Sequence, residues 1–263
     1  MILDRILAAK HDEIEARKQV DSLDELRARV RDALPARGFL ESLRSRPFGV
    51  IAEIKRRSPA KGLLKPDLDP ANTARTYERG GALAMSVLTD GPFFDGSDAD
   101  LQQARAACSL PVLRKDFVID PYQVWEARAL GADAVLLIVR ALEDSLLREL
   151  HALALSLGLA ALVEVHDEAE LERATRAGAT LIGVNNRDLD TLTVDIATTE
   201  RLAPFVPDSA TLVAESGVSE QAAAQRMHRA GARAILVGEA LVLAPDPAAL
   251  LRELSLQPSV PAT

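Results

Sequence analysis

A short phrase that begins with arginine and ends in Gly-Ala recurs four times along this chain. The copies are Arg79-Gly80-Gly81-Ala82, Arg128-Ala129-Leu130-Gly131-Ala132, Arg176-Ala177-Gly178-Ala179 and Arg229-Ala230-Gly231-Ala232. Each runs into an apolar stretch, Leu83–Leu88, Ala134–Val139, Leu181–Val184 or Ala234–Val237, and the repeat period is about 50 residues. Glycine after a helical run ends the helix, because it enters the left-handed region without a Cβ penalty. The apolar run behind it reads as a buried parallel strand. Four further strands interleave: Gly49–Lys55, Pro111–Lys115, Leu159–Val165 and Thr211–Glu215. Between them lie amphipathic segments, Ala71–Arg79, Leu101–Ala107, Tyr122–Leu130, Glu143–Leu157, Glu168–Ala177, Ile196–Ala203 and Ser219–Ala230, read as helices. Eight β-then-α units predict an α/β fold, a (β/α)8 TIM barrel. A kelch-type propeller fits the period but not the helical intervals, and an open doubly wound sheet stands as the better rival.

At about 150 residues per domain, 263 residues leave the domain count between one and two. The eight units settle the expectation at a single barrel domain over residues 1–263, with residues 1–46 as an N-terminal helical extension. In that extension Leu3, Ile6, Leu7 and Ile14 trace a helical stripe, and Ser22-Leu23-Asp24-Glu25 forms a capping box that opens a second helix. The segment after Leu256, rich in proline, is expected to be disordered. The opening is charged too early for a signal peptide, and the run from Ala152 to Val163 is too short to span a bilayer. With a net charge of −8 and nine aromatic residues, the chain is a poor ligand for nucleic acid or anionic lipid. One cysteine, Cys108, excludes a disulfide framework, reads as a core residue and fits a cytoplasmic chain.

In a parallel barrel the helices cover the outside, so a charge at a strand end should face the mouth. Such charges close the odd-numbered strands: Glu53 and Lys55 on the first, Lys115 on the third, Glu164 on the fifth and Glu215 on the seventh. The sixth adds Asn185 and Arg187 on one face. A rim of structural salt bridges accounts for any one of these residues. Five strands carrying them at the same end favour an acid/base site, because burying ions without a task costs several kcal/mol each. Glu215-Ser216-Gly217 after the seventh strand and Gly238-Glu239-Ala240 after the eighth occupy the usual phosphate loops of this barrel, with a short apolar helix after the second. As mere turn residues they would need no ligand. His11, His151 and His228 read as solvated or packing residues, whereas His166 lies two residues beyond Glu164 on the same strand face. No Walker loop, HExxH, GxSxG or paired CxxC occurs, so neither metal nor cofactor is expected.

The strings Ile51-Ala52-Glu53-Ile54-Lys55-Arg56-Arg57-Ser58-Pro59, Ser86-Val87-Leu88-Thr89-Asp90, Leu113-Arg114-Lys115-Asp116-Phe117, Leu162-Val163-Glu164-Val165-His166, Gly183-Val184-Asn185-Asn186-Arg187-Asp188-Leu189 and Val213-Ala214-Glu215-Ser216-Gly217 together resemble the indole-3-glycerol phosphate synthase family of tryptophan biosynthesis. The resemblance runs from the first residues to about Leu243. It implies ring closure of 1-(2-carboxyphenylamino)-1-deoxyribulose 5-phosphate to indole-3-glycerol phosphate, with loss of CO2 and water. Lys115 matches the family's acid. Glu164 is the first acid/base partner, Glu53 and Lys55 can supply a second pair, and the choice between them for dehydration stays open. Asn185 and Glu215 would position substrate hydroxyls and the lysines. Ser216, Gly217, Gly238 and Glu239 would hold the phosphate mainly through backbone amides, with Lys55 adding charge. Lys55, Lys115 and Arg187 would concentrate positive charge for the doubly anionic substrate, and Ser58 is a further substrate-binding residue. Phe94, Phe117 and Leu189 would wall the anthranilate ring, with core packing as the plainer alternative for each.

Departures from the family pattern fall at Arg57 and Ala60, where smaller residues and serine are common, and at Ala240, where serine is common. The last removes a hydroxyl donor to phosphate and leaves more of that contact to the backbone. The expected partner is a small-molecule sugar phosphate, not nucleic acid or a membrane. Monomer or homodimer stays open, as does contact with other tryptophan-pathway enzymes. Two other readings remain. Phosphoribosylanthranilate isomerase would want an Asp/Cys pair, and Cys108 precedes the third strand instead of ending one. A non-catalytic sugar-phosphate-binding barrel or scaffold would not need the strand-end acids and bases.

Overall fold

A computed structural model describes residues 2–189 and 191–256, so the expected disorder of the tail lies outside the described residues. Eight strands form the barrel: β1 (Gly49–Ile54), β2 (Ala84–Leu88), β3 (Val112–Lys115), β4 (Ala134–Ile138), β5 (Ala160–Val165), β6 (Leu181–Asn185), β7 (Thr211–Glu215) and β8 (Ala234–Val237). All are parallel and lie in chain order, and β1 closes on β8 with Gly49 opposite Ala234. The closed ring rules out the open sheet.

Period-two alternation divides the strands between two cores. Ile51, Leu113, Leu136, Leu162, Val213 and Leu236 point into the barrel. Val50, Val87, Val135, Val163, Val184 and Ile235 pack outward against the helices. The Gly-Ala phrases do what their composition predicts. Gly81, Gly131, Gly178 and Gly231 have φ of 82, 91, 83 and 102°, and the alanine behind each is buried as the chain enters the next strand.

The helices are α1 (Ile2–Val20), α2 (Leu23–Asp32) and α3 (Phe39–Arg44) before the barrel. Around the barrel come α4 (Pro70–Arg79), α5 (Gly91–Phe94), α6 (Asp98–Ala107), α7 (Pro121–Leu130), α8 (Asp144–Ser156), α9 (Glu168–Arg176), α10 (Ala197–Leu202), α11 (Gln221–Arg229), α12 (Glu239–Leu243) and α13 (Pro247–Leu254). Helix α6 starts three residues before the expected Leu101, because Ser97 caps it by accepting from the Asp100 amide. A two-strand hairpin, Arg57–Ser58 with Gly62–Leu63, lies in the loop after β1. It is too short to leave a periodic signal. Among the described residues no helix is long and apolar enough to cross a membrane.

The extension is more than a cover. Ser22 and Glu25 form the expected capping box, and the stripe of α1 buries Leu3, Ile6 and Ile14. Helix α3 sends Phe39 and Leu43, both fully buried, into the interior core with Ile51, Leu83 and Ala234. Burial of these two side chains joins α3 to the interior of the barrel. Removal of residues 1–20 should raise KM and leave a folded barrel. Removal of 1–46 should expose the interior and lose about 3 kcal/mol or more for Phe39 alone. Urea unfolding of the two truncations checks this, and equal stability of both would contradict it.

Candidate active site

Two residues beyond each interior apolar position the strands reach the mouth, and there the polar side chains converge. Glu53 follows Ile51, Lys115 follows Leu113, Glu164 follows Leu162, and Glu215 follows Val213 in the same inward row. Asn185 of β6 stands in register with Glu215 of β7. These residues line one cavity of about 790 Å3, within the range of small-molecule sites. All fifteen sequence-selected residues lie in its wall: Glu53, Lys55, Ser58, Phe94, Lys115, Phe117, Glu164, Asn185, Arg187, Leu189, Glu215, Ser216, Gly217, Gly238 and Glu239.

Lys115 is the hub. Its Nζ donates to Glu164 Oε2 at 3.1 Å and to Glu215 Oε2 at 2.5 Å, residues 49 and 100 positions away. Burial works against its charge, but Glu215, Glu164 and Glu53 outweigh burial and hold the ammonium above the ordinary lysine value. Glu164 is fixed from three sides, accepting from Lys115, from Asn185 Nδ2 at 3.1 Å, and facing His166 Nε2 at 3.4 Å. Burial opposes its ionisation, yet Lys115 and His166 keep it below the ordinary carboxylate range. Glu215 goes the other way. Burial, with Glu164 and Glu53 repelling, pushes it up to about 7 despite Lys115. Its Oε1 is buried with no hydrogen-bond partner among the described residues.

Two glycines make room for these carboxylates. A Cβ on Gly183 would lie 2.1 Å from Glu215 Oε1, and one on Gly238 would lie 2.3 Å from Glu53 Oε1. Gly238 therefore serves the acid on β1 as well as the loop after β8. Gly183→Ala should push Glu215 off Lys115 and lower kcat tenfold or more, since displacements of about 1 Å cost up to ~10²-fold. It should lower the melting temperature as well, because a buried ion pair is broken. Steady-state kinetics beside a thermal melt checks this; wild-type kcat would contradict it.

Lys55 Nζ pairs with Glu53 Oε1 at 2.7 Å. The Arg187 amide donates to Asn185 Oδ1, and its guanidinium to the Leu192 carbonyl. The wall carries five carboxylates, Glu53, Asp116, Glu164, Glu215 and Glu239, against four cations, Lys55, Lys61, Lys115 and Arg187. Lys55 and Lys115 come already paired with carboxylates, Lys61 lies 3.9 Å from Glu239, and Arg187 is held by a backbone carbonyl. After β7, Ser216 and Gly217 both turn left-handed, at φ 65 and 85°. A serine there is strained by about 1–3 kcal/mol and must be held. Asn186 Nδ2 holds the Ser216 carbonyl at 3.0 Å, while its Oδ1 accepts from the Thr199 amide and hydroxyl. Ser216 Oγ donates to Asn185 Oδ1 at 2.9 Å. Phe94 and Phe117 face each other across 6.1 Å at 37°.

Several residues escape sequence reasoning. Ile2, Leu3 and Ile6 of α1 lie in the cavity wall, and only the apolar stripe hints at them. Behind the wall runs a buried ionic cluster. Lys10 meets Asp90 at 3.1 Å, Asp116 at 2.9 Å and Glu13 at 2.7 Å. Arg114, 1% exposed, meets Glu126 at 2.7 Å and Asp98 at 3.2 Å, and Arg17 joins the same two acids. Thr89 donates to Asp116 at 2.6 Å. Charged residues on helices read as solvent-facing unless their partners are known, so nothing local marks them. Cys108 is partly buried against the outer core, and His151 is buried as a packing residue. His228 lies against Phe48, with ring centroids 4.9 Å apart.

Acids and bases layered over the mouth of a (β/α)8 barrel, beside two glycine loops, define a barrel enzyme of the acid/base class for a small-molecule substrate. A family profile described as indole-3-glycerol phosphate synthase matches residues 3–254. An indole-3-glycerol phosphate synthase from Azospirillum brasilense is 50% identical over 257 residues, covering 96% of this chain and 98% of that protein. The chain belongs to the indole-3-glycerol phosphate synthase family. Among solved structures, thiamine phosphate pyrophosphorylase from Pyrococcus furiosus is similar with a TM-score of 0.59 at 19% identity, over 80% of this chain and 96% of that one. A 3-hexulose-6-phosphate synthase gives 0.57 at 19% identity, over 79% and 98%. At such identities these two share the fold alone.

Proposed function

We propose that this chain, as a carboxy-lyase, closes the indole ring of 1-(2-carboxyphenylamino)-1-deoxyribulose 5-phosphate by general acid/base catalysis, releasing CO2 and water. The observation that carries the reading is Lys115, an ammonium inside the mouth held between Glu164 and Glu215. As the aromatic carbon attacks the sugar carbonyl, a C–C bond forms and the oxygen becomes strongly basic. Lys115 gives that oxygen a proton and becomes a neutral amine. The proton is secure against the ground-state ketone, because two carboxylates hold it, and moves only as oxyanion character develops. Loss of CO2 returns its bonding pair to the ring. In the dehydration Glu164 takes the proton from nitrogen as Lys55, supported by Glu53, protonates the departing hydroxyl. Loss of a proton from the ring CH2 and return of one to nitrogen then give the indole.

The phosphate would sit on the amides of Ser216, Gly217, Gly238 and Glu239, the last two at the start of α12, with Lys55 and Ser58 nearby. Phe94, Phe117 and Leu189 would clasp the anthranilate ring, and Arg187 would meet its carboxylate. The whole chain acts as one folding unit on a small-molecule substrate. A cytoplasmic setting suits its free Cys108 and its biosynthetic relative.

The test is addition of the carboxyphenylamino substrate to the purified protein, followed by indole absorbance and fluorescence. Turnover without added metal or cofactor is expected. Its absence under those conditions would overturn the reading.

A further inference from the structure

His166 stands directly behind the carboxylate that the proposed reaction uses as a base, in a setting that the ring closure itself does not require. Just past the end of β5, it is 8% exposed and touches acids on both ring nitrogens. Nδ1 is 2.9 Å from Glu170 Oε2, and the same oxygen accepts from the His166 backbone amide at 2.8 Å. That double contact fixes the ring and leaves Nε2 3.4 Å from Glu164 Oε1, an ion-pair contact without hydrogen-bond geometry. Glu170 comes from α9 and is itself held by Arg140 Nε at 2.7 Å, while Asp167 caps the helix through the Glu170 amide and lies 3.6 Å from Arg140. A chain of alternating charge therefore runs Arg140–Glu170–His166–Glu164–Lys115, ending in the active site.

We propose that His166, held as an imidazolium by Glu170, is a positioning residue that orients Glu164 and sets its basicity for the proton transfer from nitrogen. The inference rests on the reading of Glu164 as that base. Its logic is electrostatic. Glu164 has two cations in contact, Lys115 and His166, while Glu215 acts on it as a like charge and Asn185 supplies a neutral donor. Once Lys115 has given up its proton, the carboxylates lose the cation they share. His166 then remains beside Glu164 and keeps it ionised and in place through the second half of the reaction. Burial disfavours a charged imidazole, but the two glutamates outweigh it and raise His166 to about 9. The ring is thus charged at neutral pH.

Four histidines in the chain make the test direct. Ring-proton NMR of the full-length protein should show one histidine titrating well above the ordinary range, absent in His166→Gln. Its midpoint should fall by one unit or more in both Glu170→Gln and Glu164→Gln. In kinetics, His166→Leu should lower kcat about tenfold with KM within twofold and move the acidic limb of the kcat profile upward, because a carboxylate that loses a neighbouring cation becomes more basic. His166→Gln, which keeps a donor but no charge, should recover part of kcat without restoring the limb. Glu170→Gln, remote from the substrate, should shift the limb in the same direction and by less. A His166 midpoint near 6.5 that ignores both glutamate substitutions would overturn the proposal. So would an unmoved limb in His166→Gln and Glu170→Gln alongside an inactive Glu164→Gln, which keeps the role of Glu164 but removes that of His166. Wild-type turnover by Glu164→Gln would instead overturn the reading of the base, and this inference with it.

Discussion

Replacement of Lys115 by alanine is expected to lower kcat by about 10²-fold or more, the usual contribution of a positioned general acid, with a much smaller change in KM. The geometry adds a second effect that a surface lysine would not show. Without the ammonium, Glu164 and Glu215 face each other across a buried gap, and one of them must take up a proton. A carboxyl whose folded pKa lies above its unfolded value contributes stability that is full below the unfolded value and is lost as pH rises through the folded one. Glu215 is already raised, from 4.5 to about 7, and loss of Lys115 would raise the pair further. Lys115→Ala should therefore lose stability relative to wild type between about pH 5 and 8, and recover it toward pH 4. Urea midpoints across that range, beside single-turnover kinetics, check both effects. Near wild-type turnover would reduce Lys115 to a structural ion.

Lys10→Met is expected to destabilise the protein by about 3–5 kcal/mol at pH 7, the usual consequence of removing one partner from a buried ion pair. Lys10 is 2% exposed and supplies the cation between Asp90 and Asp116, whose side chains are 1% exposed. Methionine fills the space and leaves the two acids facing each other. Acid dependence gives an independent reading. Burial opposes ionisation of Asp116, but Arg114, Lys10 and the Thr89 hydroxyl hold it below its ordinary value of 3.8. A depressed carboxylate contributes stability above its unfolded pKa, and that contribution disappears as pH falls through the folded value. The gap between wild type and Lys10→Met should thus narrow below about pH 4. The same variant should raise KM more than it lowers kcat, because α1 carries Ile2, Leu3 and Ile6 into the cavity wall and Lys10 is what fastens it there. A loss under 1 kcal/mol with unchanged KM would contradict the assignment.

The parts of this protein that were legible from sequence are those set by local geometry. A glycine that must turn left-handed precedes β2, β4, β6 and β8 wherever the neighbouring contacts lie, so four Gly-Ala phrases mark every second unit of the barrel. The pleat sends every second side chain inward, so Glu53, Lys115, Glu164 and Glu215 could be placed on one row two residues beyond an apolar position. Those rules have periods of two and 3.6 residues and need no knowledge of distant chain. The hairpin after β1 fell below them, because two-residue strands have no period to read.

Sequence alone, then, determined the barrel, the end of it where acids and bases gather and the residues that line the cavity there. Tertiary structure decided which of those charges meet. Ring closure sets the angle at which each strand faces its neighbours, and this angle puts Lys115 between carboxylates 49 and 100 residues away instead of free to attract an anion. It also buries Lys10 and Arg114 among acids from α1, α6, α7 and the ends of β2 and β3, and turns α3 into the floor of the barrel. A charge's energy depends on its partner's distance and on how much water lies between them, and both are properties of the closed fold.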